Sequence, residues 1–330
     1  MAGGEDRLIA WLAGFAGSGD RIGDDAVLLT LGERQYAFSV DTQRAGVHIP
    51  IDLDPADAAR RLLAVSLSDL AATGAAPRWM LVALGIDDED GARRFLTALV
   101  RAGRRFEVDL IGGDTARPTT PGRLDASLTV IGEIPKEGSP LTRAGARPDD
   151  RLWIGGPLGE SALGLDLVRL GGRMAKRRAH LPAALPDGLT RVASRVLRRH
   201  QEPRPQLELG LLLGKRSPAG AAIDVSDGLA ADAARLCRRS GVGCELEEGA
   251  LGLRADARRL ADHLSREPLE LVLAGGEDYV LLFTLPPEVD FRRPGCRPIG
   301  RITTRPGLSL RRTDGTIERL TAGGWDHLSD

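Results

Sequence analysis

Asp54-Pro55-Ala56-Asp57-Ala58-Ala59-Arg60-Arg61-Leu62-Leu63-Ala64-Val65-Ser66-Leu67-Ser68-Asp69-Leu70-Ala71-Ala72-Thr73-Gly74 reads as one helix with both ends marked. Asp54 is placed to cap it, Pro55 occupies its first turn, and Asp57 lies near its positive end. Gly74 marks the C-terminal stop. Asp69 lies inside this helix among small and apolar residues. An unpaired carboxylate there would be costly, so a ligand or ion-pair role is expected. Before the helix, residues 6–16 have helical apolar spacing, and 26–30 and 35–40 read as strands. After it come a strand at 77–86, an amphipathic helix at 87–105, and strands at 109–113 and 125–134. Strands and helices alternate without a strict βαβ rhythm, so the expected fold class is α/β, with α+β fitting equally well.

Pro135-Lys136-Glu137-Gly138-Ser139-Pro140 reads as a linker or long turn. It divides the chain into expected domains at 1–138 and 139–330. In the second, 152–156 is a strand into a Gly turn, 160–170 a helix, and 221–225 a strand entering a helix at 227–239. Further strands are expected at 243–246, 279–285, 297–302 and 308–312. Residues 171–206 are rich in Arg and Pro and read as a solvated connection with one helix near 188–199. His180, His200 and His263 are then surface residues.

The length of 330 residues fits two ordinary domains. Lys plus Arg is 45 and Asp plus Glu is 46, a net charge of −1, which argues against nucleic-acid and anionic-membrane partners. Aromatic residues make up 4%, too few for single-strand stacking platforms. Only Lys136, Lys176 and Lys215 are lysine, and none stands in a G-x-x-x-x-G-K-[ST] frame. A P-loop is therefore excluded, and phosphate handling must rely on metals, backbone amides or Arg. Cys237, Cys244 and Cys296 form no C-x-x-C pair, which suggests a reducing compartment. With no long apolar run, the expectation is a soluble, cytoplasmic protein.

The aspartates carry the chemistry. Asp24-Asp25 follow Gly23 at a strand entrance, Asp41 and Asp114 end strands, and Asp224 and Asp227 bracket another strand end. Glu277-Asp278 follow Gly275-Gly276. Any one Asp after Gly is most often a turn residue or cap. Several such clusters, with no His or Cys beside them, point to a multi-metal phosphate site for Mg²⁺ or Mn²⁺ rather than zinc. His48 stands between a turn residue and a substrate contact. Trp325 stands between a packing residue and a ring that stacks on a flat ligand.

Eight collinear motifs resemble the thiamine-monophosphate kinase family, within the superfamily named for aminoimidazole ribonucleotide synthetase. They are Gly23-Asp24-Asp25-Ala26, Asp41-Thr42 with Gly46-Val47-His48, Ala64 to Ala72, and Ile111-Gly112-Gly113-Asp114-Thr115. Leu141-Thr142-Arg143-Ala144-Gly145-Ala146, Ile223 to Leu229, Gly275-Gly276-Glu277-Asp278-Tyr279 and Gly324-Trp325-Asp326-His327 complete them. The resemblance implies two α/β domains, with the N-terminal sheets of two subunits pairing into a barrel-like homodimer. It implies direct transfer of the γ-phosphoryl group of ATP to thiamine monophosphate. It also implies Mg²⁺ ligands at Asp25, Asp41, Asp69, Asp114, Asp224 and Asp227, with Ser39 and the Val40 carbonyl in the same shell. Asp41, Asp114 and Asp227 are the expected catalytic positions. Gly113, Arg143, Ser226 and Phe106 are the expected ATP contacts, and His48, Glu277 and Trp325 the substrate contacts.

Three residues depart from the family pattern. Val40 stands where Thr is frequent in that family, Ser66 where Asn is frequent, and Phe106 where the resemblance implies an adenine-contacting Tyr. Competing readings are another ATP-using member of the superfamily and a metal-dependent phosphatase.

Overall fold

The computed structural model describes residues 4–15, 22–175, 178–183, 185–216 and 220–321. The chain opens with α1 (Gly4–Phe15), β1 (Val27–Leu31), β2 (Arg34–Arg44), α2 (Pro55–Thr73), β3 (Ala76–Gly85), α3 (Glu89–Gly103), β4 (Asp109–Ala116) and β5 (Asp125–Glu133). It continues through β6 (Arg151–Ile154), α4 (Glu160–Arg169), the hairpin β7 (Arg173–Ala175) and β8 (Arg178–His180), α5 (Thr190–Gln201) and α6 (Leu207–Gly214). β9 (Ala222–Asp224), α7 (Leu229–Ser240), β10 (Gly243–Glu247), α8 (Ala255–His263), α9 (Pro268–Ala274) and β11 (Leu281–Leu285) follow. β12 (Arg297–Thr303), β13 (Gly307–Arg311) and β14 (Ile317–Leu320) close it. Two compact units result: Ala26–Pro140 with Gln201–Lys215, and Met1–Asp25 with Leu141–His200 and Arg216–Asp330.

The unit starting at Ala26 carries an open five-stranded sheet, ordered β1-β2-β5-β3-β4, parallel only between β3 and β4. α2 is capped as its sequence predicts: the Asp54 side chain accepts from Ala56 N–H, and Gly74 ends it at φ 71°. Most of α2 is buried, Ser66 and Ser68 included, because the sheet, α3 and α6 all pack on it. A helix apolar on all sides needs this surrounding cover. Gly132 admits α2 to the sheet, since a Cβ there would lie 2.8 Å from the Ala75 Cβ. Gly210 does the same for α6, where a Cβ would overlap the Ala71 carbonyl. We expect Gly210→Ala to destabilise this unit by about 1–3 kcal/mol through forced overpacking, measurable as a lowered urea midpoint. An unchanged midpoint would mean α6 can shift freely.

The other unit holds a seven-stranded mixed sheet, ordered β14-β13-β10-β12-β6-β11-β9 and parallel only between β10 and β13. Its core joins this sheet to α4, α5, α7, α8 and α9.

Three expectations are corrected. β2 and β4 run on to Arg44 and Ala116, so Asp41 and Asp114 lie within strands rather than at their ends. Their pairing to Leu128 and Ala83 extends the ladders past the polar residues. Residues 171–206 are not a solvated connection: Val192, Ala193, Val196 and Leu197 of α5 are core residues. His200 is 4% exposed and so not a surface residue. The five-stranded sheet itself is open, with β1 and β4 as its edges.

Candidate active site

In the unit starting at Ala26, strand alternation puts Ser39 and Asp41 on one face of β2 and Val40 on the other. The Ser39 hydroxyl donates to the Asp69 carboxylate of α2. The partner expected for Asp69 is therefore, in part, a strand hydroxyl. Asp41 is half-buried, its Oδ2 has no hydrogen-bond partner, and burial pushes its carboxyl above the ordinary range. Val40 pairs with Thr129 and is 64% exposed on the far face. Gly113 is explained by sterics, because a Cβ would overlap the Val82 carbonyl. With that close approach, Asp114 pairs opposite Ala83 and is exposed. His48 accepts the Arg44 N–H on Nδ1 at 3.1 Å, which fixes its ring in the turn after β2. Phe106 is half-buried in the turn of 3₁₀ helix after α3.

In the other unit, Arg143 organises the first acidic pair. Its Nη2 lies 2.6 Å from Asp25 Oδ1, and its backbone N–H meets both Asp24 oxygens at 3.1 and 3.2 Å. Burial opposes the Arg143 charge, but the Asp25 carboxylate, joined by Asp24 and Asp232, more than offsets this and raises its pKa. Asp24 is pushed up by burial and by the neighbouring Asp25 charge. Asp25 Oδ2 is buried without a hydrogen-bond partner. A carboxylate oxygen of Asp25 lies within 4.8 Å of one from Asp224, itself 3% exposed at the end of β9. Two buried like charges this close, one with an orphaned oxygen, suit a hard divalent cation bound through oxygen.

Ser226 and Asp227 form the turn between β9 and α7. Asp232, in the first turn of α7, accepts both of their backbone N–H groups at 3.0 and 3.1 Å. Arg235 bonds Asp232 at 2.7 Å and also the Asp227 carboxylate. Burial is the main cause raising the Asp232 carboxyl, and the Asp227 charge adds to it. Neither Asp232 nor Arg235 stands out in the sequence as a functional residue. Their i,i+3 spacing at a helix start was the available signal.

The Gly275-Gly276-Glu277-Asp278-Tyr279 loop packs on this turn. Gly276 has φ 67°, and a Cβ there would lie 2.8 Å from the Ser226 carbonyl. Glu277 and Tyr279 also hold positive φ, at 55° and 49°, a strained conformation of the kind found at functional sites. The Glu277 N–H donates to Ser226 O at 2.6 Å. Asp278 accepts from Gly159 and Ser161 N–H at 2.7 and 3.1 Å, capping α4, while burial pushes its carboxyl up to about 7. Trp325 lies outside the described residues.

These two mixed-sheet units, with carboxylates beside Gly-bearing turns, are those of an AIR synthase related protein. The N-terminal domain of that family matches residues 23–134 and its C-terminal domain residues 147–312. Thiamine-monophosphate kinase of Escherichia coli (strain K12) is 38% identical over 269 residues, 80% of this chain and 76% of the relative. That of Haemophilus influenzae is 34% identical over 324 residues, 94% of this chain and 92% of the relative. The structure of AaThiL complexed with AMPPCP and TMP superposes with a TM-score of 0.84 at 26% identity, covering 99% of this chain and 97% of that one. The chain belongs to the thiamine-monophosphate kinase family.

Proposed function

We propose that this protein is the ATP-dependent kinase that phosphorylates thiamine monophosphate to thiamine diphosphate, by direct in-line transfer and with Mg²⁺. The observation that carries the metal requirement is the pair of buried carboxylate oxygens, Asp25 Oδ2 and Asp41 Oδ2, that no hydrogen bond satisfies. Buried acceptors of this kind are rare without a purpose. The proposed ligands are Asp25, Asp41, Asp69, Asp114, Asp224 and Asp227, with Ser39 and the Val40 carbonyl beside them. The chemistry such ions supply when bound is neutralisation of two phosphate groups that must meet.

The chain's own residues do the rest of the positioning. Arg143 is the fork-shaped donor for phosphate oxygens, and Gly113, Ser226 and Phe106 the further ATP contacts. His48, Glu277 and Trp325 are the proposed contacts to the thiamine substrate. The acceptor phosphate is already largely ionised at neutral pH, so no strong general base is required. By function, residues 1–138 carry metal, ATP and dimer contacts, and 139–330 carry ATP and substrate contacts. No helix among the described residues is long and apolar enough to cross a membrane, and the proposed location is the cytoplasm.

The test is to incubate the protein with ATP, Mg²⁺ and thiamine monophosphate and identify products by mass. Thiamine diphosphate formed only with ATP is the expected result. Phosphate release alone would replace the kinase by a phosphatase.

The proposed dimer uses the face of the five-stranded sheet that the helices leave bare. Val40, Trp79 and Leu81 are exposed there, and cross-strand pairing through Thr129 and Ile131 aligns them into rows with Phe38. Contiguous exposed apolar surface of this kind marks an association site. Leu81→Glu is expected to shift the protein from dimer to monomer in light scattering at micromolar concentration. A wild-type protein that runs as a monomer would reject the proposal.

A further inference from the structure

α5 comes close to α4 because residue 164 is glycine. A Cβ at Gly164 would overlap the Val196 carbonyl and lie 2.6 Å from the His200 Cβ. That approach buries His200 and sets its Nδ1 3.1 Å from Glu277 Oε2 and 3.2 Å from Ser161 Oγ. Ser161 is wholly buried, and its backbone N–H is held by Asp278, the residue after Glu277. Adjacent carboxylates thus diverge. Asp278 caps α4, while Glu277 turns at positive φ toward α5.

A carboxylate can only accept, so the histidine nitrogen facing it must carry the proton. Ser161, His200 and Glu277 invite comparison with a hydrolytic triad. Both partners meet the same nitrogen, however, whereas a proton relay needs one at each end of the ring. The arrangement is a clamp, not a relay.

We infer that His200 is a positioning residue for substrate: its Nδ1–H fixes the Glu277 carboxylate and so sets the affinity for thiamine monophosphate. This rests on the reading of Glu277 as a substrate contact. A backbone held in the left-handed region gives the loop its direction but leaves the long Glu side chain several rotamers. Holding it beforehand removes an ordering cost that substrate binding would otherwise carry.

The test measures kcat and both KM values for wild type, His200→Leu, His200→Asn, Glu277→Ala and the His200→Leu/Glu277→Ala double variant. His200→Leu is expected to raise the KM for thiamine monophosphate about tenfold, with a much smaller change in kcat and in the KM for ATP. His200→Asn should recover most of the loss, because its amide N–H reaches the place of Nδ1–H. The double variant should bind no worse than Glu277→Ala, since both changes remove one interaction. If the Leu variant melts too low to assay, His200→Gln replaces it: its longer amide reaches past the Nδ1 position and should show the same deficit. Additive losses in the double variant, or Asn no better than Leu or Gln, would overturn the positioning role. Glu277→Ala with a raised KM and His200→Leu with none would overturn it alone. Glu277→Ala with an unchanged KM would remove the substrate reading of Glu277, and the proposal with it.

Discussion

Asp227→Asn is expected to fold as the wild type does and to turn over at least about a hundredfold more slowly. The expected stability follows from the turn itself. Asp232, not Asp227, accepts the Ser226 and Asp227 N–H groups, and Arg235 keeps Asp232 as a partner when the neighbouring charge is gone. The substitution is nearly isosteric and touches a side chain that is 25% exposed. The expected loss of rate follows from charge. A proposed metal ligand loses its negative charge at the point where two phosphates must approach. Circular dichroism and a thermal melt check the first half, and steady-state kinetics with ATP and thiamine monophosphate check the second. A folded variant with near-normal kcat would remove Asp227 from the ligand set.

Asp232→Ala is expected to give the opposite signature. Its carboxylate is 1% exposed and answers two backbone N–H groups and one guanidinium. Removing it leaves the two backbone N–H groups unanswered and Arg235 with the Asp227 carboxylate, a loss of about 3–5 kcal/mol by comparison with other broken buried pairs. Urea unfolding should show a markedly lower midpoint. A change below about 1 kcal/mol would mean that water or Asp227 takes over the role. Any fall in activity should track the unfolded fraction and recover on cooling. Five residues apart, one in the turn and one in the first turn of α7, the two aspartates separate charge used for chemistry from charge used for architecture.

Local marks made α2 legible. Asp54, Pro55 and Gly74 act within one or two residues of themselves, and the structure keeps each in the role its chemistry suggests. Asp224 at the end of β9 was legible for the same reason. β2 and β4 read short because Asp41 and Asp114 look like strand ends, whereas strand length is set by partners in β5 and β3. The Arg-rich sequence around α5 concealed an apolar face at Val192, Ala193, Val196 and Leu197. Burial of His200 was illegible because it depends on Gly164, a residue remote in sequence that looks unremarkable in its own helix. Burial of Glu160 likewise depends on Arg195 and Arg199 of α5, whose charges read locally as surface.

The return of the chain at Gln201–Lys215 to the unit formed by Ala26–Pro140 has a consequence for biosynthesis. α6 covers α2 at Ala71, with Gly210 against its carbonyl. A nascent chain that has reached Pro140 owns every strand of its five-stranded sheet, yet the flank of α2 at Ala71 is still bare. Residues 141–206 must be synthesised before the covering helix even begins. At about 5–20 residues per second, that flank stays uncovered for seconds, long enough to attract a chaperone or another unfinished chain. A fragment cut at residue 140 makes the same exposure permanent.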